Sequence, residues 1–126
     1  MKRLLPVLGI AVAASAFAVA DARADDPINV VLPKITGTAI PGHTLTASPG
    51  TWRGQGSFAF AYAWLRCNSV GKSCAPLKRA GRQVLGRKMV VPKGTTGTLR
   101  VSVLASDSGG TTAALSAPVK VRATAH

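Results

Sequence analysis

Few residues in this sequence have the chemistry for a reactive site. Ser108 stands in the run Asp107-Ser108-Gly109-Gly110, and His43 is the one histidine placed to act as its base. A serine nucleophile needs a base within hydrogen-bond reach and a third group to orient that base. Read locally, the same four residues make a hairpin turn after an alternating strand, and that is the reading adopted. A paired-carboxylate hydrolase has still less to draw on, because the chain holds 4 acids, all of them aspartates. Asp25 and Asp26 fall at the start of the expected mature chain, which leaves Asp107 without a partner. No Gly-rich phosphate loop or zinc-protease helix motif is present. The sequence therefore predicts no catalytic residues, no cofactor and no small-molecule substrate.

Cys67 and Cys74 are the remaining reactive pair. They could ligate a metal with His43 and His126, or form a disulfide. Zinc pairs usually come as C-x(2–4)-C, and this pair is wider, with Asn68 and Gly71 between its members to suit a turn. In an exported chain an even cysteine count reads as a disulfide. The expectation is a Cys67–Cys74 bond across the mouth of a hairpin, and no metal.

Export itself is read from the N-terminus. Lys2 and Arg3 form a basic start, Leu4 to Ala20 is an uncharged run of apolar and small residues, and of two Ala-x-Ala cleavage motifs, Ala18-Val19-Ala20 and Ala22-Arg23-Ala24, the second is favoured. The run is Ala-rich and shorter than the ~20 apolar residues of a spanning helix. Residues 1–24 are thus expected to be a cleaved signal peptide and 25–126 the mature domain, secreted or on the cell surface, without a transmembrane span. Leu32-Pro33-Lys34-Ile35-Thr36-Gly37 has the wrong spacing and position for a wall-sorting signal.

Charge is the most distinctive property. The chain has 16 Lys+Arg against 4 acids, a net +12. Eight bases and no acid fall between Arg66 and Lys93: Arg66, Lys72, Lys78, Arg79, Arg82, Arg87, Lys88 and Lys93. Such a run keeps a small domain soluble, or forms an electrostatic patch for an anionic polymer. Aromatics make up only 5%, which argues against a stacking surface for bases.

The elements that must position these groups read as strands. Leu45 and Ala47 alternate with Thr44, Thr46 and Ser48. Phe58, Phe60, Tyr62 and Trp64 alternate with alanines, and Leu99, Val101, Val103 and Ala105 with Arg100, Ser102 and Ser106. Val119 and Val121 alternate with Lys120 and Arg122, and Ile28 to Leu32 makes an edge strand before Pro33. Period-two runs between Gly/Pro turns predict an all-β antiparallel sandwich or barrel. Trp64, Tyr62, Leu99 and Val101 are its expected core. An exposed aromatic face of Phe58, Phe60, Tyr62 and Trp64 is the alternative, disfavoured because no other aromatic stripe could fill a core. Leu77, Ala80, Val84, Leu85 and Met89 fall near helical spacing, an alternative amphipathic helix that Gly81 and Gly86 oppose.

Tyr62-Ala63-Trp64-Leu65-Arg66-Cys67, then Gly71-Lys72-Ser73-Cys74, then Leu77 and Ala80, resembles a signature of bacterial secreted immunoglobulin-like domains. The flanks Ile35-Thr36-Gly37, Pro49-Gly50-Thr51-Trp52, Leu99-Arg100-Val101 and Ser116-Ala117-Pro118 are similar to that family's outer strands. The sequence departs from the pattern at Thr95-Thr96-Gly97, where an aspartate often precedes the glycine, and at Met89, near a usual tyrosine. The resemblance implies a single seven-strand immunoglobulin-like sandwich without catalytic residues. The functional expectation is a non-catalytic binding or structural module. Its partner would be an anionic polymer (wall polymer, acidic glycan or extracellular DNA) or another surface protein. The alternative is a cationic membrane-active or nucleic-acid-binding secreted protein.

Overall fold

The computed structural model describes residues 26–123. The expected leader, its cleavage site and His126 lie outside the described residues. Within them the chain is all β, with no helix. In chain order the strands are β1 (Ile28–Val31), β2 (Lys34–Gly37), β3 (Thr44–Ser48), β4 (Thr51–Arg53), β5 (Ala59–Cys67) and β6 (Ala75–Pro76). They continue as β7 (Lys78–Arg79), β8 (Arg82–Gln83), β9 (Lys88–Val90), β10 (Thr98–Asp107), β11 (Gly110–Leu115) and β12 (Val119–Lys120). The expectation of about seven strands differs because the edges are broken into short pieces at Pro76, Gly81 and Pro118, where proline removes a ladder donor or glycine turns the chain.

All pairing is antiparallel. The larger sheet runs β11-β10-β5-β6, with β12 also on β10, and the smaller runs β2-β3-β9. β1 pairs β4 alone, as an edge before Pro33, and β7 pairs β8 as a separate hairpin. The two main sheets share one core. Leu45 and Ala47 from β3 and Met89 from β9 meet Trp64 from β5 and Leu99, Val101 and Val103 from β10. The register puts Trp64 opposite Val101 and Tyr62 opposite Val103, so period-two alternation delivers one apolar face from both long strands. Each fully buried aliphatic of this set contributes about 1.5–3 kcal/mol relative to exposure.

Trp64 is fully buried, and its indole N–H donates to the Gly86 carbonyl at 2.8 Å. A buried indole with its polar end satisfied is a stable core group. Tyr62 is not a fully buried core residue. Together with Phe60 it is half-buried at the core's margin, because the smaller sheet does not extend over that end of β5. Ser116 is buried where β11 gives way to β12. Its hydroxyl accepts the Val101 N–H at 3.0 Å and donates to the Ala117 carbonyl at 3.0 Å, closing the gap in the ladder.

Residues 77–84 form a β-hairpin and Lys88–Val90 pairs with β3, which overturns the amphipathic-helix alternative. Ala80 and Gly81 make its two-residue turn with φ of 53° and 79°. Positive φ at both positions is the turn whose twist matches a hairpin. The backbone of the preceding segment is taken up by Trp64, whose carbonyl accepts the Leu77 N–H at 2.9 Å and whose N–H donates to the Val84 carbonyl at 3.1 Å. These bonds tie both arms of the hairpin to β5 in extended backbone.

Candidate functional site

Cys67 and Cys74 are disulfide-bonded, with Cα atoms 4.0 Å apart. Leu65 opposes Pro76 and Arg66 opposes Ala75, so the bond joins the next cross-strand pair at the mouth of the β5–β6 turn. Cys67 lies on the face of β5 opposite Trp64 yet is buried, beneath the loop that follows it. Asn68 organises that loop, its side-chain oxygen accepting the N–H groups of Val70 and Lys72, each at 3.0 Å. The Arg100 guanidinium then pins the loop to the sheet edge, donating to Gly71 O at 3.0 Å and Ser116 O at 2.8 Å. Arg100 thus has a structural task that nothing in its local sequence announces.

All eight bases of the 66–93 run are exposed, but the fold does not gather them into one patch. Arg66 sits on the inward face of β5, past the end of the core. Its Nε donates to Thr96 O at 3.0 Å and its terminal nitrogen to Thr96 Oγ1 at 2.9 Å. This fixes the guanidinium at the rim of an open depression of about 330 Å³, which Lys78 and Lys93 also line over a floor that includes buried Leu77. A second depression, of about 430 Å³, is lined by Arg79 and Lys88 with Thr44 and Val90. Lys78 and Arg79 are neighbours on one strand, so their side chains point to opposite faces of the β7–β8 hairpin. The hairpin therefore divides the bases into two groups. Arg82 lies directly opposite Arg79 and joins the second face. Lys72, in the disulfide loop, lines neither depression. Arg87 is tied back to the sheet by a 3.1 Å bond from Nε to Ala47 O.

The described carboxylates lie elsewhere. Asp26 packs against Gly110, and Asp107 accepts the N–H groups of Gln55 at 2.7 Å, Gly109 at 2.8 Å and Gly110 at 3.1 Å. The Gln55 amide foremost, aided by those of Gly109 and Gly110, holds the Asp107 carboxyl below its ordinary value against the contrary effect of desolvation. Arg66 pairs with Leu99 near the opposite end of β10. At ~3.4 Å per residue, the length of that strand separates these acids from Arg66 by roughly 30 Å. Attraction between charges so far apart is screened at physiological ionic strength. Neither acid therefore neutralises Arg66.

Ser108 and His43 do not meet. Ser108 lies in the β10–β11 turn and its hydroxyl donates to Gln55 O at 3.3 Å. His43 lies in the turn bonded to Val91, which Ala39 and Arg122 tie toward Gly97 at the start of β10. Among the described residues no three His, Cys, Asp or Glu side chains come together as a metal set, and no helix is long and apolar enough to cross a membrane. Comparison of the chain with family models, curated proteins and solved structures gives no match.

Proposed function

We propose that this is a non-catalytic, extracytoplasmic immunoglobulin-like module that binds an anionic polymer through the bases around the β7–β8 hairpin. The fold reading is supported by strand order. The larger sheet, β11-β10-β5-β6, corresponds to the G-F-C-C′ order of an immunoglobulin-like sandwich, and β2-β3-β9 to A-B-E. Export is supported by the disulfide, which persists in oxidising compartments. The binding reading is carried by one observation: Arg66, Lys78 and Lys93 converge on one depression and Arg79 and Lys88 on another, and no acid lines either. Clustered bases displace the counterions of a polyanion, so affinity depends steeply on salt.

The test is binding to heparin, DNA and purified wall polymer at about 50 and 200 mM salt, where such contacts weaken strongly. A variant with Lys78, Arg79, Arg82, Arg87 and Lys88 changed to Gln is expected to lose most binding and keep its fold. Unchanged binding, or indifference to salt, would contradict the reading.

A second reading, docking of another surface protein, is favoured by the outer face of the larger sheet. There Ala61, Leu104 and Ala113 lie in one cross-strand row and Ala63, Ser102 and Leu115 in the next, two rows without charge beside the Arg100–Leu65 pair. Exposed apolar faces of this kind mark interaction surfaces. Leu104→Glu would abolish such docking and leave polyanion binding intact.

A further inference from the structure

We infer that the two basic depressions act together, so that a single flexible, base-free polyanion such as an acidic glycan passes from one to the other across the β7–β8 hairpin. The inference rests on the polyanion reading and adds the number of subsites and the kind of polymer. Lys78 and Gln83 face one side of the hairpin, Arg79 and Arg82 the other. Lys78 joins Arg66 and Lys93 in the first depression, and Arg79 joins Lys88 in the second. A compact anion can fill only one of these at a time. A rigid duplex presents its phosphates along one straight face and cannot follow the turn of the surface. A flexible chain can occupy both, and its second contact then becomes intramolecular, raising affinity without any new kind of contact.

The polymer's chemistry is read from what the depressions lack. Neither is lined by Phe, Tyr or Trp. Trp64 is buried in the core, and Phe58, Phe60, Tyr62 and Trp52 are half-buried and line neither depression. Single-stranded nucleic acid is bound by aromatic stacking as well as by charge. A surface offering charge alone favours a chain that carries carboxylate, sulfate or phosphate groups and no bases.

The hairpin's own geometry agrees. Arg79 and Arg82 are directly opposite, and like charges in that relation repel. Ala80 holds φ at 53°, where a side chain is disfavoured. Two unfavourable features in four residues are what a segment shaped for a polyanion, rather than for its own stability, would retain.

The experiment is calorimetric titration of the protein with a heparin tetrasaccharide and with long heparin. Two double variants accompany the wild type, Lys78→Gln/Lys93→Gln and Arg79→Gln/Lys88→Gln, with Arg79→Lys/Lys88→Arg as the charge-keeping control. The tetrasaccharide is expected to bind at two sites, one removed by each Gln pair. Long heparin should bind as one chain spanning both, at least ~100-fold tighter, and fall toward the tetrasaccharide level in either Gln variant but not in the control. Long heparin binding no tighter than the tetrasaccharide would overturn the inference, as would one Gln pair removing all binding while the other removes none. Duplex DNA bound as tightly as heparin would overturn the straddling geometry, and single-stranded DNA bound more tightly would overturn the base-free assignment. Absence of any polyanion binding by the wild type would instead defeat the parent reading.

Discussion

Arg79 and Arg82 stand directly opposite each other across the β7–β8 hairpin, two exposed guanidinium groups on one face. The described carboxylates, Asp26 and Asp107, both lie beside Gly110 instead. A pair arranged for stability would carry opposite charges, so the first prediction concerns Arg82→Glu. It should raise stability by about 0.2–1 kcal/mol, the range for an opposite-charge cross-strand pair. The same change should weaken polyanion binding severalfold. Thermal unfolding and heparin affinity, measured on one sample, check both signs.

Ala80→Asn should stabilise the domain. The turn needs positive φ at both central positions, and Asn-Gly supplies it where Ala-Gly is strained. A gain of about 0.5–1 kcal/mol is expected from relieving the left-handed alanine, with no change in net charge or affinity. A loss of stability in denaturant unfolding would mean that the turn conformation is different.

The disulfide closes a short loop, so its removal has a bounded effect. Replacing Cys67 and Cys74 by Ser should lower stability by about 2.5 kcal/mol on the loop-entropy scale without abolishing the fold, because the Trp64 core is intact. Non-reducing peptide mapping of exported protein should show the pair linked. Free thiols there would contradict the Cys67–Cys74 bond.

Gly97 has φ of 84°, and a Cβ there would collide with the Cys67 carbonyl. Gly97→Ala therefore combines backbone strain with a clash against main chain that cannot move aside. A destabilisation of at least about 2 kcal/mol is expected by chemical denaturation, against under 0.5 kcal/mol for a neutral exposed substitution.

Acid should loosen the β4–β5 loop through Asp107. Its carboxyl is held below the ordinary value of 3.8 by the Gln55, Gly109 and Gly110 amides. A carboxyl depressed on folding contributes stability that is present above its unfolded value and is lost as pH falls through the lower folded value. Stability should accordingly decline below about pH 4 in the wild type and less so in Asp107→Asn. Amide exchange at Gln55 read by NMR follows the same group locally.

Much of the scaffold was legible in the sequence because its signal is local. The run Leu99 to Ala105 alternates without interruption, and the structure buries every second residue of it. The cysteine spacing was similarly readable, since both partners flank one turn. The hairpin was harder. Gly81 and the bases around it blur alternation, and Ala80-Gly81 lacks the asparagine that normally marks such a turn. The division of the basic run followed from strand parity at Lys78 and Arg79, which a sequence with a helical alternative could not fix. Arg66 and Thr96, or Arg100 and Gly71, are about thirty residues apart, and no pattern within either segment foretells those bonds. Tyr62 shows the remaining gap, because its alternation places it on the inward face but not how far the opposite sheet extends.

The central claim is that position, and not total charge, confers binding. The most direct measurement compares two variants that lose the same charge in different places. One is Arg79→Gln/Lys88→Gln beside the hairpin. The other is Lys34→Gln/Arg53→Gln on β2 and β4, where both side chains are exposed and line neither depression. Heparin affinity across a salt series should fall at least ~10-fold, with a shallower salt slope, in the first variant and stay near wild type in the second. Equal losses in the two would contradict the account and reduce the charge to solubility.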